Sequence, residues 1–269
     1  MNNEELQKYA LTFVEHLQKR YKCDLTNPRT IKDKLNWLKV YDCTPLKTKC
    51  ADKILLRDYV NSKIVGIPMI PIIKTYSNAD EIDFDSLPNA CVIKCNHGSG
   101  YNIMYEKGKS NEQDVIKKLN EWLNTDYSNE HNQVELHYRN IERKILVEEK
   151  INIIKDYKFW CFNGVPKFFV SVIKSHFMNY YDMKGNKLNI ARCGHPNFYE
   201  EIGLPKSILE QLKYYATVLS NDFKFVRVDF AKSFDDVYYL TELTFIPGSG
   251  LVRHKNKNID YMIGDMLTL

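Results

Sequence analysis

The stretch VRVDFAKSFDDVYYLTELTFIPGSG, residues 226–250, predicts two strands joined by the polar turn SFDD. Arg227 and Asp229 are two residues apart on the first strand, and Glu242 and Thr244 are two apart on the second. Because residues two apart share one face of a strand, an antiparallel pair can place the Asp229 and Glu242 carboxylates side by side. Adjacent carboxylates repel unless a proton or cation lies between them, and their oxygens suit Mg²⁺. The stretch therefore indicates a Mg²⁺ site with Arg227 beside it; the alternative is a solvent-facing ion pair on an edge strand.

The composition is typical of a globular protein with a sizeable core, since 44% of the 269 residues are hydrophobic and 27% are charged. The net charge of +4 is spread along the chain without a block of like charges. This pattern argues against a nucleic-acid binder and suits an anionic small molecule or an acidic polymer. The longest apolar run, IVGIPMIPII, is far shorter than the roughly 20 residues of a membrane span. We therefore expect a soluble protein without a membrane span.

The seven cysteines show neither CxxC pairs nor the tight Cys/His spacing of a zinc site. Most of them lie inside apolar stretches, as reduced core thiols do, which predicts a cytoplasmic protein. The N-terminal segment MNNEELQKYALTFVEHLQKRY carries no targeting signal. It predicts an amphipathic helix with Leu6, Tyr9, Phe13 and Leu17 on one face.

Helices dominate the first part of the sequence, and antiparallel hairpins dominate the last. The patterns predict helices at 30–62, 110–124 and 204–220 and strands at 69–76, 90–96, 102–107 and 143–151. The tetrapeptide SNEQ, residues 110–113, predicts a capping box, and Asn163-Gly164 predicts a hairpin turn. This order of elements indicates the α+β class.

The stretch VIKCNHGSGYN joins a strand that carries Lys94 to a glycine-containing loop. The backbone N–H groups of such a loop can cradle phosphates, and a strand lysine can reach a phosphate as a point charge. The loop comprises His97, Gly98, Ser99 and Gly100, and it matches neither the P-loop nor the complete GxGxxG pattern. His97 could contact a phosphate or cap the turn, and an ordinary hairpin turn is the alternative for the whole loop.

The stretch LVEEKINIIKDYKFW places Glu148 and Glu149 at the end of an apolar strand. Asp156 and Lys158, two residues apart, open the next strand. One interpretation is a hinge that binds a nucleotide base through its backbone and the ribose through a carboxylate. The other is a polar crossover between two lobes.

The order of these motifs resembles the ATP-grasp superfamily. Asp52-Lys53 comes first, then the strand lysine with its glycine loop, the V-E-E-x-I hinge, Arg-x-Asp, and Glu-x-Thr with Pro-Gly after it. The phrases DYKFWCFNGVPKF, FVRVDF and ELTFIPGSG specifically resemble the TupA-like branch, the teichuronopeptide-biosynthesis type. The resemblance extends from about Lys34 to the C-terminus.

The resemblance implies an ATP-grasp fold, in which two α+β lobes clasp a nucleotide. The expected divisions are an N-terminal helical segment at 1–62, a small lobe with the glycine-rich loop at 63–150, and a C-terminal lobe with the metal site at 151–269. The residues implied to bind ATP are Lys53, Lys94, His97, Gly98, Ser99, Gly100, Glu148, Glu149, Lys150, Ile151, Asp156 and Lys158.

Within that set the resemblance implies distinct roles. Lys53, Lys94 and the HGSG loop would contact phosphates, the hinge at 148–151 would hold adenine, and Asp156 the ribose. Lys158 would face the γ-phosphate, and Arg227 would stabilise the transferring phosphoryl group.

The implied metal ligands are Asp229, Glu242 and Thr244. Thr244 stands where many ATP-grasp ligases carry an asparagine, and a hydroxyl is a poorer ligand than an amide carbonyl. Coordination by Thr244 is therefore the weakest part of the expected metal site.

The activity implied is an ATP-dependent carboxylate–amine ligase that forms an amide through an acyl phosphate. The family points to a uronic acid and to a small amine or amino acid, in the biosynthesis of capsule or other surface polysaccharide. Candidates to bind the acid are basic residues of the C-terminal lobe: Lys174, Arg192, His195, Arg253 and His254.

Two other classes of function compete with the ligase. Asp83-Phe84-Asp85 has the D-x-D pattern with which a glycosyltransferase holds a metal-bound nucleotide sugar. The third hypothesis is a non-catalytic protein that binds a nucleotide or a glycan. The presence of both acids, Arg227 and both lysines favours the ligase, since a decaying site loses ligands first.

Overall fold

Two antiparallel sheets and the helices packed on them make up the protein, which we describe from a computed structural model. The residues described are 4–5, 8–9, 11–12, 15, 23–132, 134–174, 176–198 and 204–269. The amphipathic helix predicted at the N-terminus, with Leu6, Phe13 and Leu17, lies mostly outside these residues. Within the described ranges, no helix combines the length and the apolar character that crossing a bilayer requires. All seven cysteines are free thiols.

Three helices precede the first sheet, as predicted: α1 (Ile31–Tyr41), α2 (Pro45–Ala51) and α3 (Leu56–Lys63). Thr30 caps α1 by accepting the Asp33 backbone N–H, and Thr44 caps α2 with a proline following it. Except for Val40, the buried apolar side chains of these helices belong to the same cluster as those of the larger sheet. The helical segment therefore shares the core of the C-terminal lobe.

The small lobe is a four-stranded sheet in the order β1–β4–β2–β3. Its strands are β1 (Ile72–Tyr76), β2 (Ala90–Cys95), β3 (Asn102–Glu106) and β4 (Ile145–Glu149). Alternate residues of β2, Cys91, Ile93 and Cys95, are buried against helix α4 (Glu112–Asn124) and its neighbours. The other face of β2 carries Lys94, so the period of the strand turns this lysine away from the core.

The start of α4 differs from the prediction. Asn111 is the N-cap, and its side chain accepts the backbone N–H groups of Gln113 and Asp114. Ser110 accepts the Glu106 backbone N–H at 2.9 Å instead. The capping box predicted at SNEQ is wrong because two neighbouring residues can both cap, and the preceding hairpin engages the first of them.

The larger sheet has six strands in the order β10–β9–β5–β6–β7–β8. They are β5 (Ile153–Phe162), β6 (Val165–Ile173), β7 (Phe177–Asp182), β8 (Lys187–Leu188), β9 (Phe225–Ser233) and β10 (Tyr238–Thr244). Helix α5 (Lys206–Ser220) packs on this sheet through Leu209, Leu212 and Leu219, and α6 (Lys257–Asp265) packs on α1. The predicted hairpin at Asn163-Gly164 is confirmed, with φ of 47° and 78° at its two residues.

The two lobes meet where the segment leading into β1, an edge strand of the small sheet, contacts β10, an edge strand of the larger sheet. The Leu240 backbone N–H donates to the Pro68 carbonyl at 2.8 Å, and Met69 forms an isolated bridge with Leu240. On the other side, the Lys53 backbone N–H donates to the Asn96 carbonyl at 3.3 Å. These contacts bring Lys53, Lys94 and the end of β4 to one cavity with residues 240–242 of β10.

Candidate active site

The paired strands β9 and β10 bring the two acids together. In their register Glu242 lies opposite Asp229, and Thr244 lies opposite Arg227. A bulge between Leu240 and Glu242 sets this register. The side-by-side placement of the two carboxylates, predicted from the two-residue spacing, is confirmed.

The buried Asp229 carboxylate is compensated by two protein cations. Arg227 donates through Nε to Oδ1 at 2.7 Å and through Nη2 to Oδ2 at 2.5 Å, and Lys158 donates to Oδ2 at 2.8 Å. Burial alone would raise the pKa of the Asp229 carboxyl, but Arg227 and Lys158 hold it at about 2. The sequence predicted that a bound cation compensates the charge of Asp229. The structure shows that Arg227 and Lys158 also compensate it and keep Asp229 ionised.

Glu242 differs from its neighbour because 40% of its side chain is exposed. Its Oε1 accepts from the Thr244 hydroxyl at 3.0 Å and from Arg227 at 3.3 Å. Its Oε2 receives no hydrogen bond from the residues that the structure describes. A partly exposed carboxyl group with one oxygen that accepts no hydrogen bond, next to a second carboxylate, fits an oxygen-coordinated divalent cation. The Thr244 hydroxyl donates to Glu242 and accepts from Arg227 at 3.1 Å, so it orients the acid.

Two lysines from different parts of the chain reach the same cleft. Lys53 directly follows α2, and its Nζ donates to the Gly98 carbonyl of the HGSG loop. Lys94 projects from β2. Both border a cavity of about 120 Å³, together with Glu242 and Thr241. Burial lowers the pKa of the Lys53 ammonium, and Glu242 opposes that shift. The structure thus brings the predicted phosphate-binding lysines to the predicted metal site.

Glu148 serves as the counter-charge for the basic wall of this cleft. It is buried, and its Oε2 lies 2.5 Å from Lys94 Nζ. Its Oε1 accepts from Arg57 at 3.2 Å, and Arg57 also donates to the Ile70 carbonyl at 2.5 Å. The sequence interpretation did not include Arg57. Arg57 lies in the first turn of α3, and no local pattern in the sequence pointed to its contact with Glu148.

A second cavity of about 430 Å³ adjoins the first and shares Ile70, Lys94 and Glu148 with it. The chain leaving β4 forms one wall, through residues 148–153, and Met104 and Asn102 of β3 are also part of the lining. Lys150 is anchored by an ion pair with Glu106 at 2.7 Å. The predicted hinge therefore borders a cavity that adjoins the one at Glu242.

The glycine loop divides into a buried and an exposed half. His97 is buried, with Nε2 3.0 Å from the Trp122 carbonyl, and burial lowers the pKa of its ring to about 4. A β-carbon at Gly98 would lie 2.7 Å from the Tyr127 ring. Ser99 and Gly100 are exposed. His97 thus supports the loop from the core as a neutral ring, and the exposed half is the part that can approach a ligand.

Asp156 lies near the charged cluster and lines neither cavity. Burial raises the pKa of its carboxyl, Lys158 opposes that shift, and Asp229 and Glu242 add to it. Its assignment to a ribose stays a prediction.

Asp83 and Asp85 flank Phe84 at a short 3₁₀ turn in the small lobe, and both are exposed. The charged group closest to Asp85 is Lys107 at 3.8 Å, and neither acid borders the cleft. The structure does not bring this D-x-D pair to the other candidate residues.

A cleft between two α+β lobes, with lysines over one end and paired acids beneath them, defines the ATP-grasp fold. The chain belongs to the TupA-like ATP-grasp family, whose model matches residues 33–268. No curated protein shows significant sequence similarity to the chain.

Several solved ligases are similar to the chain in structure. An L-amino acid ligase from Bacillus licheniformis matches with 12% identity and a TM-score of 0.51, over 93% of this chain and 57% of that one. A D-alanine–D-alanine ligase from Bacillus anthracis matches with 16% identity and a TM-score of 0.49, over 81% and 67%. The structure of that ligase complexed with ATP gives 16% identity and a TM-score of 0.46, over 74% and 54%. The chain thus spans between about half and two thirds of the length of these ligases.

Proposed function

We propose that this protein is an ATP-dependent carboxylate–amine ligase that forms an amide through an acyl phosphate. The observation that carries the proposal is the meeting of Lys53, Lys94 and Glu242 around one cavity, with Arg227 and Asp229 directly behind it. Family membership supports it, because the same motifs identify the chain as an ATP-grasp protein.

Each part of the cleft has a function in binding ATP. Lys53, Lys94 and the exposed half of the HGSG loop bind the phosphates, and the chain leaving β4 holds the base in the larger cavity. Asp229 and Glu242 would hold Mg²⁺, which would neutralise phosphate charge. The short contacts of Lys94 with Glu148 keep the lysine extended toward the cleft before ATP arrives.

The reaction then needs positioning and charge stabilisation, with no covalent nucleophile from the protein. A carboxylate oxygen of the acid attacks the γ-phosphorus, and the bond from phosphorus to the ADP oxygen breaks. The amine nitrogen next attacks the acyl carbon, the bond from carbon to the phosphate oxygen breaks, and nitrogen loses a proton. The products are the amide, ADP and inorganic phosphate. Arg227 stabilises the negative charge on the transferring phosphoryl group.

The substrates that we propose are a uronic acid and an amino acid or other small amine, joined in the cytoplasm during the biosynthesis of a surface polysaccharide. The likeness to the TupA-like family supports this choice. The basic wall formed by Lys53, Arg57 and Lys94 is compatible with anionic substrates.

Release of ADP tests the proposal. The wild-type protein is incubated with Mg²⁺-ATP and a grid of uronic acids and small amines, and we expect ADP only when both an acid and an amine are present. Asp229→Asn should abolish the release, whereas the matched control Asp85→Asn, at an exposed position, should retain it. ADP release that ignores the acid and the amine would contradict the ligase. UDP release from a nucleotide sugar, lost in Asp85→Asn, would establish the glycosyltransferase instead.

A further inference from the structure

The Arg192 guanidinium lies against the loop that follows strand β10. Its chain segment pairs with the segment around His254: the Cys193 N–H donates to the Arg253 carbonyl at 3.0 Å, and the Lys255 N–H donates to the Ala191 carbonyl at 2.9 Å. A β-carbon on Gly248 would lie 2.8 Å from Arg192 Nη2. The guanidinium therefore lies against the loop at 247–250, which follows Glu242 and Thr244 directly.

The charge of Arg192 is not compensated by any residue that the structure describes. Arg227 makes hydrogen bonds with Asp229, Glu242 and Thr244, but the Arg192 guanidinium has neither a hydrogen bond nor an ion pair with a described side chain. Burial lowers the pKa of Arg192; Tyr180 opposes the shift, and Arg227 lowers the pKa further. A partly buried cation that faces a second cation is costly, and a bound anion would remove that cost.

The other candidates for binding an acid are in different situations. His254 is buried between Asp260, 2.6 Å from Nδ1, and Tyr180, 3.3 Å from Nε2. Lys174 and Arg253 are exposed, and His195 Nδ1 lies 3.1 Å from the His176 carbonyl. Arg192, in contrast, is partly buried and makes no hydrogen bond or ion pair with a described side chain.

We propose that Arg192 binds the carboxylate of the acid substrate. This inference rests on the proposed ligase function and names the residue that recognises its acid. The planar guanidinium can donate two parallel hydrogen bonds to a carboxylate, which a lysine cannot reproduce. Bound there, the carboxylate would lie at the loop that follows the strand carrying Glu242 and Thr244. Arg192 thus selects acids and positions the attacking oxygen.

Steady-state kinetics with the uronic acid that gives the most ADP separate this role from a structural one. Arg192→Gln should raise KM for the acid by about ten- to hundred-fold, because the charge-assisted hydrogen bonds to the carboxylate are lost. KM for ATP should stay within about twofold of the wild-type value. Arg192→Lys should recover part of the loss. Arg29→Gln removes the same charge from an exposed position and should change neither constant. An unchanged KM for the acid in Arg192→Gln would overturn the assignment and leave the ligase intact.

A binding measurement keeps the assignment independent of turnover. With AMP-PNP and Mg²⁺ present, D-glucuronate or D-galacturonate should raise the Tm of the wild type, and glucose should not. The increase should vanish in Arg192→Gln and persist in Arg29→Gln. If neither uronate raises the wild-type Tm, or if Arg192→Gln keeps the increase, the assignment is wrong. An Arg192-dependent increase without ADP release from any pair would retain the acid site and refute the ligase.

Discussion

At the residue scale, Asp229 and Glu242 are neighbours with opposite surroundings. Asp229 is buried behind Arg227 and Lys158, and its charge is required there whether or not a metal is present. Glu242 faces the cleft and keeps one oxygen available. The same pattern of alternate residues on two strands thus produces one buried, ion-paired carboxylate and one partly exposed carboxylate, and their variants should differ in stability.

Asp229→Asn should lower both activity and stability. The change leaves Arg227 and Lys158 buried without their counter-charge, and losing one partner of a buried ion pair costs about 3 kcal/mol. The folded-state pKa of about 2 lies below the ordinary 3.8. The ionised carboxylate therefore contributes its full stabilisation above about pH 4, and this contribution is lost as the pH falls toward 2. Chemical denaturation of the variant and the wild type at pH 7 and pH 3 measures the difference in their free energies of unfolding. A stability difference from wild type that does not shrink at pH 3 would contradict it.

Glu242→Gln should abolish ADP release and spare the fold. The side chain is partly exposed, and an amide can still accept from Thr244 and Arg227, so the free energy of unfolding should change by less than about 1 kcal/mol. A variant with full activity would remove Glu242 from the metal site. Asp236→Asn, at an exposed residue on the same hairpin, is the control for the change of charge.

At the scale of elements, strand pairing and turns place the site residues. The bulge in β10 aligns Glu242 with Asp229, and Thr241 donates to the Asp229 carbonyl at 3.0 Å beside it. The hairpin at Asn163-Gly164 followed from its dipeptide because both residues need positive φ. The start of α4 could not be chosen from the sequence, since Ser110 and Asn111 have similar propensities as caps.

Asn111→Ala should lower the free energy of unfolding by about 1 kcal/mol, because the backbone N–H groups of Gln113 and Asp114 lose their acceptor. Gln113→Ala should leave the free energy of unfolding almost unchanged. If Ser110 and Gln113 formed a capping box, the same substitution would lower it. Urea denaturation of both variants provides the comparison. A larger loss in Gln113→Ala than in Asn111→Ala would contradict the observed cap.

At the scale of the whole molecule, the cleft exists because two lobes with separate cores face each other. The small lobe supplies Lys94, the HGSG loop and the chain leaving β4, and the large lobe supplies the acids and Arg227. Lys53 belongs to neither sheet and bridges them through the loop carbonyl. A ligand in this cleft would contact both lobes, so its binding should stabilise the protein as a unit.

AMP-PNP with Mg²⁺ should therefore raise the Tm. At a ligand concentration of about 100 times Kd, linkage predicts about 2.7 kcal/mol of added stability. Lys94→Met should reduce this gain because it removes a phosphate contact and leaves Glu148 with Arg57 alone. Asp85→Asn should show the full gain. A gain that is equal in Lys94→Met and the wild type would remove Lys94 from the nucleotide site.

The sequence by itself determined the α+β class, most element positions, and the facing of Asp229 and Glu242. Each of these depends on local spacing: period two in strands, glycine and asparagine at turns, and the order of short motifs along the chain. The resemblance of those motifs to the TupA-like ATP-grasp family was also a property of the linear sequence, and it is confirmed.

Only the tertiary structure decided which charges compensate each other. The pairing of Lys158 with Asp229, of Arg57 and Lys94 with Glu148, and the placement of Arg192 against Gly248 all join residues that are distant in sequence. The burial of His97 could not be predicted from the sequence either. A loop histidine has the same local sequence pattern whether it faces a ligand or Trp122. Local rules orient a side chain on its own element, whereas the charge that it meets depends on how the elements pack.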